Sequence, residues 1–160
     1  MYKKAVLGLG TNMGDRASNL ENALKSIELL PKTRVLEKST IYETEPWGYT
    51  EQARFLNCAC IVKTELSPNA LLGACLGIEA ALGRVRQFRN GPRIIDIDLL
   101  LYEGEKIKTD ELTVPHPFIL QRDFVLVPLH DLFPNGNALG FDFEKEYLAT
   151  DKTKLTKITD

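Results

Sequence analysis

The chain has 160 residues, 44% hydrophobic and 26% charged, with 20 lysines and arginines against 22 acids, for a formal net charge of −2. Those values predict one soluble domain over residues 1–160 with a sizeable core. They offer no global field for nucleic acid or an anionic membrane surface. The cysteines Cys58, Cys60 and Cys75 lack CxxC spacing and a partner histidine, and there is no long apolar segment. The expectation is a cytoplasmic protein of a reducing compartment, with no nucleic-acid or membrane partner and a monomer by default.

Ala5, Val6, Leu7 and Leu9 read as a first strand that runs into the polar turn Gly10-Thr11-Asn12-Met13-Gly14-Asp15. From Arg16 the period becomes helical, with Leu20, Ala23, Leu24, Ile27 and Leu30 on one face and Pro31 as the stop. A glycine-rich strand-to-helix turn can cradle phosphate, but this one is neither GxGxxG nor a Walker motif, and Asn12 and Gly14 suffice as turn residues. Val35 to Glu43 reads as a second strand, broken by the irregular loop Thr44-Glu45-Pro46-Trp47-Gly48-Tyr49. Phe55 to Val62 is a third strand, paired antiparallel with the second. Asn57 interrupts its apolar run. A buried amide must find partners, either in the neighbouring backbone or in a planar heterocycle with donors and acceptors, and both readings stay open. Trp47 is equally compatible with plugging the sheet's end.

Ser67-Pro68 opens a second helix, whose Gly73 and Gly77 suggest close approach to the sheet, with Glu79 near its far end. Arg84, Arg86, Arg89 and Arg93 then crowd the approach to Gly91-Pro92 and to the strand of Ile94, Ile95, Ile97, Leu99, Leu100 and Leu101. Asp96 and Asp98 are set into that strand two residues apart, so both carboxylates share one face. Two like charges so close are costly unless a cation sits between them, and oxygen-only ligands suit Mg2+ with retained waters and nucleotide phosphates. The bland alternative is an edge strand whose acids discourage aggregation, against which the continuous hydrophobic run speaks. A solvated basic loop is the usual meaning of such an arginine cluster; beside a carboxylate pair it reads as a polyphosphate clamp. Further on come a turn at Glu103-Gly104-Glu105, a short strand near Lys106 to Lys108, and His116 between Pro115 and Pro117, too solitary for zinc. Phe124 to Leu129 reads as a short helix or turn. Residues 142–160 turn polar; Tyr147 and Leu148 can pack, and the final residues are expected to fray.

The order strand, helix, strand, strand, helix, strand predicts an α/β (α+β) fold, a ferredoxin-like split-βαβ sandwich with an antiparallel sheet covered by helices on one face. The first and last core strands would lie side by side in its middle, leaving the opposite face for ligands. That fold also hosts RNA-binding modules and metabolite-sensing domains, so it does not decide function.

Gly91-Pro92-Arg93 followed by Asp96-Ile97-Asp98, the Val114-Pro115-His116-Pro117 segment, Gly10-Thr11-Asn12-Met13-Gly14 and Phe55-Leu56-Asn57 occur in one order and spacing. In these the chain resembles the 6-hydroxymethyl-7,8-dihydropterin pyrophosphokinase family, from Lys4 to about Leu132. The resemblance implies transfer of the β,γ-diphosphate of ATP to the hydroxymethyl group of 6-hydroxymethyl-7,8-dihydropterin, releasing AMP, in folate biosynthesis. It implies that Asp96 and Asp98 hold two Mg2+ ions. Arg84 and Arg93 match arginines of phosphate binding and the chemical step, and Arg86, His116 and Arg122 match nucleotide or phosphate contacts. Glu79, Ile97 and Thr113 match the nucleoside side. On the pterin side, Trp47, Phe55 and Phe124 match enclosing side chains, and Thr44, Glu45 and Asn57 match the polar ones. The Arg84 to Gly91 loop would close over the substrates. The chain departs from the common pattern at Trp47, at Asn90 in place of an aromatic, and at Glu111 in place of an arginine seen in some members.

Overall fold

The structure is a computed structural model and describes residues 1–46, 51–83 and 93–158. In chain order, β1 (Lys3–Thr11) leads into α1 (Arg16–Glu28), where the Asp15 side chain accepts the Ser18 N–H at 3.1 Å as N-cap, and Leu20, Ala23 and Ile27 are buried. Two strands follow, β2 (Thr33–Lys38) and β3 (Ile41–Thr44), where the sequence suggested one; the break comes at Ser39, whose hydroxyl accepts the Ala59 N–H at 2.9 Å. Next come β4 (Phe55–Thr64) and α2 (Pro68–Ala81), capped by the Ser67 hydroxyl on the Ala70 N–H at 3.2 Å. β5 (Asp96–Tyr102) carries the acid pair, and β6 (Ile107–Lys108) and β7 (Thr113–Val114) make a small sheet of their own. α3 (Asp123–Leu132), the β8 (Asn137–Ala138) and β9 (Phe141–Asp142) hairpin, α4 (Glu144–Leu148) and β10 (Leu155–Ile158) complete the described chain.

The main sheet is antiparallel in the order β10-β3-β4-β1-β5, with β2 also on β4. β1 and β5 are neighbours as predicted, with Gly10 opposite Asp96 and Gly8 opposite Asp98. The prediction that β5 is central is corrected: it ends the sheet, and β1 and β4 are the middle strands. Its apolar run is still buried because its outer edge is covered. The Glu79 carboxylate accepts the Ile97 N–H at 2.7 Å, and the His116 N–H donates to the Leu100 carbonyl at 2.9 Å. Those bonds occupy backbone groups that would otherwise recruit another strand.

Helices lie on both faces rather than one. α1 and α2 cover Ala5, Leu7, Cys60, Val62 and Ile97 on one side, while α3 covers Val6, Ala59, Ile61 and Leu100 on the other. β5 supplies residues to both by alternation, and its register shift opposite Val6 and Leu7 lets the consecutive Leu100 and Leu101 both join the second core before Tyr102 returns to the first. α3 fills only part of its face; the acids and Asn57 occupy the remainder. Gly73 and Gly77 do not bring α2 closer to the sheet, since a Cβ at either would meet nothing within 4 Å. The tail whose polarity suggested fraying carries α4 and β10, which pairs with β3 from Leu155↔Thr44 to Ile158↔Ile41. An edge strand is held by its backbone ladder, which composition does not reveal. Among the described residues no helix is long and apolar enough to cross a membrane.

Phe143, fully buried where the β9 hairpin meets α4, anchors this C-terminal part to the second core. Phe143→Ala should lower unfolding free energy by about 3–5 kcal/mol in urea denaturation; a loss below about 1 kcal/mol would show that the tail is not anchored there.

Candidate active site

Asp96 and Asp98 stand on the same face of β5, opposite two glycines of β1, so no side chain of the adjacent strand covers them. In the chain alone each has a guanidinium close by: Arg93 Nη1 is 3.2 Å from Asp96 Oδ2, and Arg122 Nη1 is 3.9 Å from Asp98 Oδ2. Burial first, and then the Asp96 charge, push the Asp98 carboxyl up to about 7, against the pull of Arg122. Its side chain is 32% exposed and lines two recessed cavities, where surrounding protein desolvates it more than that area suggests. A divalent ion would relieve this repulsion. Among the described residues no group of three or more His, Cys, Asp and Glu side chains gathers as a metal cage, so an ion here would draw its remaining ligands from substrate and water.

Asp96 lies where three cavities meet. On the sheet's ligand face a narrow one of about 40 Å³ is lined by Gly10, Thr44, Glu45, Phe55, Asn57, Asp96 and Phe124. It shares Gly10, Asn57, Asp96 and Phe124 with a second narrow pocket of about 30 Å³ that reaches Asp98 and Pro128. Asn57 is nearly buried and donates through Nδ2 to the Thr44 hydroxyl at 2.7 Å, a side-chain partner that neither sequence reading named, and the amide still lines a cavity. Gly10 makes room for it, because a Cβ there would sit 2.7 Å from Asn57 Oδ1. Phe124 comes from the first turn of α3, and the Arg122 guanidinium lies 5.5 Å from its ring and 5.0 Å from that of Phe118. Glu45 pairs with Arg54 at 2.9 Å.

Beyond the acids a wider cavity of about 300 Å³ is lined by Glu79, Ile97, Thr113 and His116 as well as Asp96 and Asp98. Burial, then the Arg122 charge, lower His116 to about 4, so its ring is neutral near pH 7. The Phe118 N–H donates to its Nδ1 at 3.2 Å, which leaves the hydrogen on Nε2 as a donor. Glu111, one of the residues that depart from the family pattern, lines the same cavity.

The structure thus brings together Thr44, Glu45, Phe55, Asn57, Glu79, Arg93, Asp96, Ile97, Asp98, Thr113, His116, Arg122 and Phe124 around one cleft. Trp47, Arg84, Arg86 and Asn90, with the Arg84 to Gly91 loop, lie outside the described residues. Sequence reasoning passed over Gly10 as a site residue and left Asn12 as a turn former. The signal for Gly10 was its place opposite Asp96 on a paired strand, which only the register supplies.

Residues 6–134 match the family model described as 7,8-dihydro-6-hydroxymethylpterin-pyrophosphokinase. A 2-amino-4-hydroxy-6-hydroxymethyldihydropteridine pyrophosphokinase of Methylorubrum extorquens is 49% identical over 146 residues, covering 91% of this chain and 92% of that one. Its counterpart from Aquifex aeolicus is 48% identical over 130 residues, covering 81% and 79%. The Folic acid synthesis protein FOL1 of Dictyostelium discoideum is 44% identical over 149 residues, and there this chain spans 22% of the longer relative. Among solved structures, the wild-type HPPK-DHPS of Plasmodium falciparum with SDX-DHP superposes with a TM-score of 0.71 at 18% identity, over 97% of this chain and 47% of that one. This chain spans about half the length of that structure, and at such identity the likeness is one of fold. Matched along most of its length by the family model and by relatives close to half identical, the chain belongs to the 7,8-dihydro-6-hydroxymethylpterin-pyrophosphokinase family.

Proposed function

We propose that the chain binds ATP across the wide cavity and 6-hydroxymethyl-7,8-dihydropterin where the two narrow ones adjoin, a space that must widen to admit a two-ring ligand, and transfers diphosphate between them at Asp96 and Asp98. Its activity is that of the family, pyrophosphoryl transfer in folate biosynthesis. The observation that carries the placement is that Asp96 lines both the wide and the narrow cavities, so groups bound in each would meet beside it. A non-catalytic RNA-binding or sensing module would leave an acid pair at such a junction without a purpose.

The hydroxymethyl oxygen forms a bond to the β-phosphorus as the bond from that phosphorus to the α,β-bridging oxygen breaks. AMP departs with that oxygen, and the hydroxyl proton passes to solvent water. The donor set fits Mg2+, being two carboxylates with no third His, Cys, Asp or Glu grouped with them among the described residues, and two ions held by Asp96 and Asp98 are proposed with bound ATP. When bound, Mg2+ supplies positive charge at the transferring phosphates and at the leaving oxygen. Arg93 and Arg122 present guanidinium groups beside the same acids and would turn to phosphate oxygens, for which their planar fork is suited. His116 offers a neutral N–H from the wall of the wide cavity, while Glu79 fixes the Ile97 backbone and Thr113 borders the nucleoside. Across the junction, Thr44 and Asn57 orient the pterin's polar edge, Glu45 lies beside them, and Phe55 and Phe124 supply apolar contact. Arg84 and Arg86 on phosphate and Trp47 on the pterin complete the assignment by family likeness. Most of the acceleration on this reading is positioning and electrostatics. The reading also has the chain acting as a cytoplasmic monomer, one domain over residues 1–160.

Incubation with ATP, Mg2+ and the reduced pterin should yield AMP in step with pterin diphosphate, and Asp96→Ala should slow this roughly a thousandfold, a loss of several kcal/mol at the transition state. ADP as the nucleotide product, or full activity in the variant, would overturn the reading.

Asp98 also makes metal-free stability depend on pH. Its carboxyl sits at about 7 in the folded chain, against about 3.9 unfolded, so between these values the folded state holds the extra proton. Stability should therefore fall as pH rises from about 4 through about 7. Thermal melts in EDTA should show wild type losing ground to Asp98→Asn across that window; a constant difference would contradict the raised value.

A further inference from the structure

Asn12, just past the end of β1, is 4% exposed. Its N–H donates to the Arg93 carbonyl at 3.0 Å, and its Oδ1 accepts the Arg93 N–H at 2.8 Å, so the Arg93 backbone is held at both its polar groups. The other end of the same amide donates through Nδ2 to the Ala53 carbonyl at 2.9 Å and to Gln52 Oε1 at 2.8 Å. The backbone partners settle which way the amide points, since an N–H needs an acceptor and a carbonyl needs a donor. One buried side chain therefore ties together two segments remote in sequence. On one side is Arg93, whose guanidinium reaches Asp96 at 3.2 Å. On the other is the segment entering β4, two residues before Phe55 of the narrow cavity. That segment is pinned again by Arg16, whose Nη1 donates to the Arg54 carbonyl at 3.0 Å. Asn12 itself is not among the residues lining the three cavities described above.

We propose that Asn12 is a positioning residue for diphosphate transfer: it holds Arg93 beside Asp96 in fixed relation to the wall of the pterin cavity. The proposal rests on the site assignment made above. A primary amide is the side chain that provides an acceptor and two donors on so short a stem. Asp at this position would keep the acceptor for the Arg93 N–H and set a lone pair against the Ala53 carbonyl; Ala would lose both sides. Misplacement of a reacting group by about 1 Å can cost about a hundredfold in rate while leaving substrate binding largely intact.

The test is a double-mutant cycle on kcat and on KM for each substrate. Asn12→Ala should lower kcat roughly ten- to a hundredfold with each KM changed less than about threefold, and Asn12→Asp should recover part of the loss. Because the effect runs through the Arg93 guanidinium, adding Asn12→Ala to Arg93→Ala should cost less than about twofold beyond Arg93→Ala alone. If Asn12→Ala does not fold, Asn12→Asp takes its place in the cycle with the same expectation of non-additivity. Additive losses with Arg93→Ala, or an unchanged kcat, would overturn the positioning role while the site assignment stands. An Arg93→Ala variant as active as wild type would overturn both.

Discussion

The repulsion between Asp96 and Asp98 is the constraint that the surrounding structure answers. Period-two geometry forces the two carboxylates onto one face of β5, and opposite them β1 offers Gly8 and Gly10 in place of side chains. The acids are thereby left at the floor of a cleft, where protein desolvates them but no side chain of β1 covers them. Among the described residues, Arg93 lies beside Asp96 and Arg122 beside Asp98, and both offset the acids' charge. That arrangement suits a site that receives both cations and polyphosphate, because the guanidinium groups have a second use once the acids are otherwise occupied.

The division of the cleft follows from where the helices stop. α3 covers Val6, Ala59, Ile61 and Leu100, which are farther along the strands that carry Gly10, Asn57 and Asp98. The uncovered end of that face becomes the narrow cavities, with Phe124 at the boundary. On the other side of the acids, the outer edge of β5 is capped by Glu79 and the His116 segment, and the space between these becomes the wide cavity. An edge position for β5 is thus useful: a strand buried on both edges could not open onto two chambers.

Much of this was legible in the residues. The acid pair needed only the strand period, α1 and α2 announced themselves by apolar spacing and α2 also by its Ser67-Pro68 start, and Asn57 stood out as an amide in an apolar run. What escaped depended on partners distant in sequence. A hydrophobic run looks the same in a central strand and in an edge strand capped by Glu79 and His116, so β5 was placed wrongly in the sheet's order. The face of a helix that a glycine occupies is set by packing, and Gly73 and Gly77 turned out to look away from the sheet. β10 is held by backbone pairing with β3, for which a polar sequence carries no mark. Asn12 looked like a turn former because its bonds run to Gln52, Ala53 and Arg93.

The most direct measurement of the central claim is carboxyl-carbon NMR of the aspartates with Mn2+ in place of Mg2+, alongside a non-hydrolysable ATP analogue. Paramagnetic broadening should fall first and most strongly on Asp96 and Asp98, and much less on surface acids such as Asp131 and Asp151. Broadening concentrated elsewhere, with the Asp96 and Asp98 lines left sharp, would contradict the assignment of this pair as the point where metal, nucleotide and pterin meet.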